Sequence, residues 1–229
     1  MDVIAHIAQI PLFEGLPENN LEGLARIVVD RQFGAGETVF LEGQEGTGFY
    51  VMFSGRVKVY KLASDGKEQI LHIFGPGEPF GEIALFEDRR FPAYAETIEK
   101  SRILFFPRSS FLDLIKKDPS LALNMLGLLS QRLRRFTSLI EDLSLKEVPG
   151  RLAAYLLYLS RRNQDADDLT IDISKGQLAS LLGTIPETLS RILTRLIKAG
   201  FIQEDARHIF HILDRRGLQE LAEGIRRLS

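Results

Sequence analysis

The chain of 229 residues contains no cysteine. Without a thiol it can form no disulfide bond, thiolate zinc site, cysteine nucleophile or cysteine-ligated iron–sulfur cluster. It also lacks an apolar run of about 18 residues, the length that a membrane helix needs, and its first residues carry no basic segment of the kind that opens a signal peptide. The sequence therefore predicts neither a membrane span nor a leader, and it favours a protein of the cytoplasm.

Enzyme signatures are also missing. The sequence shows no serine–histidine–acid order, no glycine-rich phosphate loop and no motif of paired catalytic carboxylates. Glu82, Glu87 and Asp88 lie close together, but such a group is more typical of a solvated acidic turn than of an acid–base pair. We therefore do not expect an enzyme.

The net charge of −2 is divided unevenly along the chain. Residues 1–145 hold 16 Lys and Arg against 20 Asp and Glu, whereas residues 146–229 hold 13 against 11. Between positions 175 and 198 four basic residues face one acidic residue, a local charge of +3 that is typical of a surface meeting phosphates. These five residues are Lys175, Glu187, Arg191, Arg195 and Lys198.

Glycine is dense early in the chain, with ten of the 19 glycines between Gly34 and Gly81. After a helix predicted over residues 17–29, short runs of β-branched and aromatic residues alternate with these glycines, as in strands joined by tight turns. The pattern favours a small antiparallel barrel or jelly roll whose interior either encloses a ligand or is filled by side chains. The predicted strands are 38–41, 49–53, 56–60, 70–74, 94–98 and 102–106.

From Ser109 the pattern becomes helical, and apolar residues then alternate steps of three and four. This spacing is the seam of a two-stranded coiled coil, with Arg132, Arg134 and Arg135 left on the outside. We therefore predict a dimer interface, the alternative being a helix packed on its own barrel. The seam consists of Leu126, Leu129, Leu133, Phe136, Ile140 and Leu143. A hinge is predicted over residues 142–149, with Pro149 in the first turn of the next helix.

Residues 174–197 form the pattern of a helix-turn-helix. Two short helical segments meet at Gly183, and each opens with a possible capping box, Ser174 with Gln177 and Thr184 with Glu187. The second helix has a buried face at Leu189, Ile192, Leu193 and Leu196, so its other positions look outward. Residues 201–203 and 208–213 then favour a winged hairpin, and a final helix is predicted from about 216 to 228.

Three parts follow one another along the chain: a roll, a long heptad helix and a winged helix-turn-helix. The roll contains the segment Phe80-Gly81-Glu82-Ile83-Ala84-Leu85-Phe86. This order resembles the CRP/FNR family of bacterial transcription regulators over nearly the whole chain, from Ile10-Pro11-Leu12-Phe13 onward. The resemblance implies an α+β fold with a cyclic-nucleotide-binding-like β-roll sensor over 1–120, a dimerisation helix and hinge over 121–145, and a winged helix-turn-helix DNA-binding domain over 146–229.

The same resemblance implies partners and a signal. The expected partners are double-stranded DNA, a second copy of the chain, RNA polymerase and a small-molecule effector, with no membrane. Within the family, the chain is similar to nitrosative-stress and denitrification regulators, including hybrid-cluster-protein regulators, some of which bind haem. A haem or nitric oxide-type signal is therefore the favoured effector.

Family members with a Glu-x-x-Ser-Arg face use it to read half-sites containing TTGA, and Glu187, Ser190 and Arg191 match that face. The chemistry agrees, because arginine can donate two hydrogen bonds to guanine, a carboxylate can accept one from cytosine, and serine can serve either kind of base edge. Taken singly, each residue also has a plain role as a helix cap or a solvated side chain.

Phosphate contacts are expected for Thr188, Arg195 and Lys175, which would position the protein without reading sequence. Pro186 stands where cyclic-AMP receptors carry arginine, and this departure favours TTGA-type over GTGA-type half-sites. A dimer then implies an inverted repeat.

Cyclic-nucleotide binders of the family use a Gly-Glu pair, whose glutamate holds the ribose hydroxyl, and a following Arg-Ser pair for the cyclic phosphate. Gly81 and Glu82 match the first pair. The second falls on Pro92 and Ala93, which offer a phosphate neither charge nor side-chain hydrogen bond. This argues against cyclic AMP, although a loop shortened by two residues would bring Arg90 into place. A cyclic-nucleotide-responsive regulator and a non-enzymatic ligand-binding regulatory module remain the alternative functions, but the second leaves residues 174–213 without purpose.

For haem or another metal centre the candidate ligands form no metal-spaced cluster. His208 and His211 fit the wing strand, where ordinary histidines are common. His72 lies in a predicted roll strand beside the ligand space and His6 in the N-terminal arm, so these two are the haem candidates. The thioether options are Met1, Met52 and Met125. Together, the predicted effector pocket comprises Gly81, Glu82, His72 and Arg90.

Overall fold

The computed structural model describes residues 3–86, 90–205 and 209–228. It forms two compact units that divide between Leu133 and Arg134. The first unit begins with the helices α1 (Val3–Ala8) and α2 (Glu18–Ile27) and ends with α3 (Arg108–Lys117) and the start of α4 (Ser120–Leu145). None of the helices in the described part of the chain has the length and apolar character to cross a membrane.

Eight strands lie between α2 and α3, and they form two antiparallel sheets of four strands each. The first sheet has the order β1-β8-β3-β6 and the second β2-β7-β4-β5. This is a jelly roll rather than a single closed barrel. The strands are β1 (Val29–Phe33), β2 (Thr38–Phe40), β3 (Gly48–Ser54), β4 (Val57–Leu62), β5 (Glu68–Phe74), β6 (Pro79–Phe80), β7 (Tyr94–Thr97) and β8 (Ser101–Pro107).

All six predicted strands are confirmed, but β1 and β6 were not predicted. The polar centre of β1, Asp30-Arg31-Gln32, gives it little intrinsic strand character, and the helix predicted through residue 29 ends at Ile27. Pairing with β8 makes β1 a strand, and the guanidinium of Arg102 donates to the carboxylate of Asp30 across that pair. Non-local pairing therefore outweighs local propensity here.

The interior of the roll is filled by side chains, so the structure shows the second of the two predicted alternatives. Between the sheets lies an aromatic cluster in which each ring is at most 6% exposed. A second apolar cluster packs the helices of this unit against the outer face of the first sheet. The aromatic cluster comprises Phe40, Tyr50, Phe74, Phe80, Phe91 and Phe105, with aliphatic neighbours that include Met52.

The long helix α4 begins at Ser120, because Pro119 interrupts the helical pattern after α3. Along the predicted seam, Leu126, Leu133 and Ile140 are exposed by 58%, 69% and 65%. Leu129 behaves differently, since it packs partly against the apolar core of the first unit, as the alternative of a helix packed on its own roll requires. Phe136 is also exposed, and Leu143 is half-buried.

The predicted hinge over 142–149 is too long. Helix α4 continues to Leu145, supported by an ion pair of 2.7 Å between Lys146 Nζ and Asp142 Oδ1, and α5 (Val148–Arg162) begins two residues after Lys146. Pro149 lies in the first turn of α5, as predicted, where its missing N–H costs no hydrogen bond.

In the second unit α5 is followed by β9 (Asp168–Thr170), α6 (Lys175–Leu181), α7 (Pro186–Lys198), β10 (Ile202–Glu204), β11 (Ile209–Ile212) and α8 (Arg215–Ala222). The predicted hairpin is confirmed as β10 and β11, and the three-residue β9 joins it in a sheet of order β10-β11-β9. The final helix ends at Ala222 instead of residue 228, because Gly224 takes a φ of 73° and terminates it.

Candidate nucleic-acid interface and sensor site

Helix α6 opens with the capping box that the sequence predicts. The Gln177 backbone N–H donates to Ser174 Oγ at 3.1 Å, and the Ser174 N–H donates to Gln177 Oε1 at 2.9 Å. Two backbone donors that the helix itself leaves unpaired are thereby satisfied. Lys175, the first residue of α6, is exposed.

The second predicted capping box, Thr184 with Glu187, is wrong. Helix α7 begins at Pro186, and its N-cap is Ile185, which makes no side-chain capping bond. Proline fixes the first helical position and forces the preceding residue into an extended conformation, here φ −113° and ψ 155°. Thr184 therefore lies in the turn, where its N–H donates to the Ala179 carbonyl at 2.9 Å.

The turn between α6 and α7 depends on Gly183, whose φ of 66° is a conformation that side chains disfavour. Beyond it, α7 buries one face in the core of the second unit, as predicted. That buried face consists of Leu189, Ile192, Leu193 and Leu196. Since the apolar face fixes the rotation of the helix about its axis, the residues between these positions look outward.

The structure brings the three predicted base-reading residues together on this outer face. Glu187, Ser190 and Arg191 are all exposed, and their spacing places them on neighbouring turns of α7. The guanidinium of Arg191 donates from Nη2 to Thr188 Oγ1 at 3.1 Å. Thr188, predicted to meet phosphate, is half-buried and is placed to orient Arg191.

Arg195 lies one turn further along α7 and is exposed. Its guanidinium donates to the backbone carbonyl of Leu228, in the segment after α8. Arg195 is thus on the same helix as the predicted base readers, but its side chain is held by the end of the described chain.

In the first unit, Gly81 and Glu82, which the sequence predicts for the effector pocket, lie at the junction of β6 and the next short helix. Gly81 takes a φ of 73° and caps a short 3₁₀ helix, Glu82–Leu85. The side chain of Glu82 is 6% exposed, and its Oε1 is paired with the guanidinium of Arg132, itself 16% exposed. Glu82 Oε2 is buried with no hydrogen-bond partner among the described residues.

Arg132 was predicted on the outside of α4, and that prediction is wrong. Its guanidinium donates to Glu82 and to the backbone carbonyl of Pro79, and its Cζ lies 5.0 Å from the centre of the Phe74 ring. Heptad position alone did not predict this, because the long side chain bends back to the roll. The available signal was Glu82 in an apolar segment, since a buried carboxylate needs a counter-charge.

Aromatic rings fill the space beside Gly81. Phe40 and Phe91 stack with centroids 3.8 Å apart at an interplanar angle of 13°, and Tyr50 stacks on Phe80 at 5.2 Å. A Cβ on Gly81 would approach Phe91, Phe40 and Tyr50 to 3.2–3.3 Å. These rings leave no space for a side chain at position 81.

The positions of the phosphate-binding pair are equally unsuited to a cyclic nucleotide. Ala93 is buried, and Pro92 is exposed with its carbonyl accepting from Lys61 Nζ at 3.0 Å. Arg90 is exposed, and its Nη1 donates to the Gly43 carbonyl at 2.8 Å. These three residues therefore do not supply the paired cation and hydroxyl that would bind a cyclic phosphate.

The candidate haem ligands are dispersed. The His6 ring lies against Phe53 with centroids 3.8 Å apart at an angle of 31°, and its Nε2 is buried without a hydrogen-bond partner among the described residues. Burial, and secondarily the positive charge of Arg102, lowers the pKa of His6 and keeps the imidazole neutral. His72 packs edge-on against Phe74, with its Nε2 3.8 Å from Glu78 Oε1.

Of the two predicted wing histidines, His211 Nδ1 lies 2.6 Å from Asp168 Oδ1, and His208 lies outside the described residues. The thioether options Met52 and Met125 are buried in apolar clusters, and Met1 is also outside the described part. Within residues 3–86, 90–205 and 209–228, no three His, Asp or Glu side chains are grouped to hold a metal ion.

Comparison with known proteins agrees with both units. A model of the cyclic nucleotide-binding domain matches residues 30–118, and a model of the Crp-like helix-turn-helix domain matches residues 150–221. The chain is 31% identical over 207 residues to the CRP-like cAMP-activated global transcriptional regulator of Mycobacterium tuberculosis, covering 89% of this chain and 92% of the relative.

Other relatives differ in the signal that their names describe. The fumarate and nitrate reduction regulatory protein of Escherichia coli is 29% identical over 208 residues, covering 89% of this chain and 83% of that protein. The solved structure of FixK2 from Bradyrhizobium japonicum superposes with a TM-score of 0.76 at 26% identity, covering 85% of this chain and 97% of that one. By its two matched domains and its near full-length relatives, this chain belongs to the CRP/FNR family of DNA-binding transcription regulators, which carry an effector-binding roll and are not enzymes.

Proposed function

We propose that the protein is a homodimeric transcription regulator that acts on bacterial DNA in the cytoplasm and reads an inverted repeat of TTGA-type half-sites. The observation that carries the proposal is the outer face of α7, where Glu187, Ser190 and Arg191 are exposed together on a helix held rigidly by its buried face. RNA polymerase is the partner through which such a protein changes transcription.

Each side chain on this face has a task. The Arg191 guanidinium donates two parallel hydrogen bonds to guanine O6 and N7, and the Glu187 carboxylate accepts from cytosine N4, so both charged residues engage one G·C pair. Ser190 serves a neighbouring base edge. Lys175, Thr188 and Arg195 meet phosphates and set the position of the helix in the major groove.

The exposed seam on α4 supports the dimer. Three large apolar side chains at intervals of seven residues stand in solvent in the single chain, and a second copy would cover them. A twofold axis along such a seam presents two recognition helices to successive major grooves. The half-sites are therefore expected about one helical turn, 10 to 10.5 base pairs, apart.

Binding to designed duplexes tests the DNA proposal. Fluorescence anisotropy would compare TTGA inverted repeats of several spacings with duplexes in which TTGA is changed to GTGA or scrambled. Tightest binding is expected for TTGA at one-turn spacing, by about a thousandfold over scrambled DNA at physiological salt. Equal binding to all duplexes, with a steep salt dependence, would reduce the protein to a non-specific DNA binder.

For the effector we propose a haem or nitric oxide-type signal, with His6 as the haem ligand. A neutral imidazole whose Nε2 has no hydrogen-bond partner is in the state required to bind a metal. His72 is the less suitable of the two candidates because it already lies beside Glu78. Effector binding would shift the population between two arrangements of the dimer that differ in operator affinity.

Absorption spectra test the effector proposal. Purified protein would be titrated with haem, with and without nitric oxide, alongside His6→Ala and His72→Ala. A Soret band that saturates at one haem per chain and is lost only in His6→Ala is expected. If neither substitution changed the spectrum, neither histidine would be a haem ligand. Nitrosative stress is the physiological signal that this chemistry would report.

A further inference from the structure

We infer that the roll of this chain is closed to cyclic nucleotides by its own side chains, and that Arg132, in place of a bound nucleotide, fastens the middle of α4 to the roll. One consequence of this inference is that operator binding needs no cyclic nucleotide. That consequence rests on the proposed DNA-binding function. The inference applies to the roll interior and leaves the signal proposed at His6 untouched.

The closure is built from buried aromatic rings. Phe91, which directly precedes the two positions of the missing phosphate-binding pair, is 2% exposed and stacked on Phe40 at 3.8 Å. Tyr50 and Phe80 continue the stack, and a Cβ at Gly81 would approach three of these rings more closely than ordinary van der Waals contact. A nucleotide could enter only if several close-packed rings left the core together, and such cores resist this.

At positions 82, 90, 92 and 93, the described residues do not reproduce the polar contacts that cyclic-nucleotide binders of the family use. Arg90 is engaged with a backbone carbonyl on the surface, and Pro92 and Ala93 have no donor for a phosphate. Glu82, the carboxylate that the resemblance assigns to the ribose hydroxyl, is 6% exposed and is already paired with a guanidinium. A cyclic phosphate would therefore meet no unengaged donor side chain from positions 82, 90, 92 and 93.

Arg132 connects three parts of the roll to α4. Its guanidinium donates to Glu82 in the 3₁₀ helix and to the Pro79 carbonyl in β6, and it lies over the Phe74 ring at the end of β5. With Glu82 Oε2 otherwise unpartnered, this pair is what compensates the buried carboxylate. Removing the guanidinium alone would therefore take away this polar link between α4 and the roll and leave a buried charge.

The first experiment measures nucleotide binding directly. Thermal unfolding of the full chain would be followed in the presence of cyclic AMP, cyclic GMP or cyclic di-GMP. The nucleotide concentration would be raised to about a thousandfold above a micromolar dissociation constant, a value typical of specific ligands. No saturable rise in Tm is expected, and operator affinity should be the same with and without each nucleotide. A saturable rise in Tm, or a gain of about tenfold in operator affinity, would overturn the closure.

The second experiment tests the task of Arg132. Arg132→Met removes the charge, Glu82→Gln removes its partner, and the double variant removes both; Arg134→Met, an exposed arginine on the same helix, is the matched control. Arg132→Met should lower Tm and weaken operator binding by about tenfold or more, whereas the double variant should recover part of the loss because no charge remains buried. Equal behaviour of Arg132→Met and Arg134→Met would overturn the assignment.

Arg132→Lys keeps the charge and loses the planar fork, so it supplies a milder variant if Arg132→Met does not fold. The Tm and operator affinity of Arg132→Lys should lie between those of the wild type and Arg132→Met. Wild-type values for Arg132→Lys would show that the planar guanidinium is not required. If no duplex is bound specifically by the wild type, the proposed function fails, but the nucleotide titrations still decide the closure.

Discussion

Arg191 donates a hydrogen bond of 3.1 Å to the hydroxyl of Thr188, three residues earlier on α7. The pair restricts a flexible guanidinium before DNA is present, and thereby lowers the entropy lost when it engages a base. Thr188 was expected to meet phosphate. Its half-buried position gives it the additional task of orienting Arg191.

Arg191→Ala should abolish discrimination at one guanine of each half-site. We expect a loss of roughly 1 to 3 kcal/mol on the operator and a much smaller loss on scrambled duplex, because a bidentate contact is made only to the correct base. Arg195→Ala is the matched control, and it should weaken binding to both duplexes alike. Anisotropy titrations at one salt concentration give both values; equal losses on both duplexes for Arg191→Ala would contradict base readout.

Ile140→Glu should convert the dimer to a monomer. The side chain is 65% exposed in the single chain, and in a coiled-coil seam a glutamate would bring two buried carboxylates together across the axis. Gln131→Glu, an exposed position off the seam, adds the same charge and should leave the dimer intact. Sedimentation velocity measures both. A dimeric Ile140→Glu protein would place the interface elsewhere.

Ser174→Ala should destabilise the DNA-binding unit by about 1 kcal/mol, since the Gln177 N–H loses its capping acceptor. Thr184→Ala, in the turn and outside any cap, is the control and should cost less than about 0.5 kcal/mol. Denaturant unfolding of each variant supplies the comparison. The opposite ranking would restore the capping box that the sequence alone predicts at Thr184.

His6 should make the stability of the protein depend on pH. Burial lowers the pKa of His6 in the folded state, so the unfolded chain holds more protons once the pH drops below about 6.5. The stabilisation is complete above that pH and is lost as the pH falls through the lowered pKa. Replacing the imidazole in His6→Gln should flatten this part of the profile, measured as the free energy of unfolding from pH 8 to 5. Parallel profiles for the two proteins would refute the assignment.

The order of elements and the base-reading face could be predicted from the sequence because both depend on local patterns. The buried residues of α7 recur every three or four positions, so Glu187, Ser190 and Arg191 necessarily share the opposite face. Ser174 with Gln177, Gly183 and the glycine-rich turns likewise act within a few residues. Even a local rule failed at Thr184, where Pro186 moved the start of the helix by one residue.

Contacts between distant segments were decided only by the tertiary structure. The polar strand β1 exists because β8 offers it a partner, and Arg132 leaves its predicted outer position because Glu82, 50 residues away, is buried and needs a counter-charge. From the sequence, the interior of the roll could either enclose a ligand or be filled by side chains, since the same aromatic residues are compatible with both. The packing of Phe40 in the second sheet against Tyr50 in the first, with ring centroids 5.7 Å apart, decided for the filled one, because such a contact depends on how two sheets meet and not on the order of residues in either.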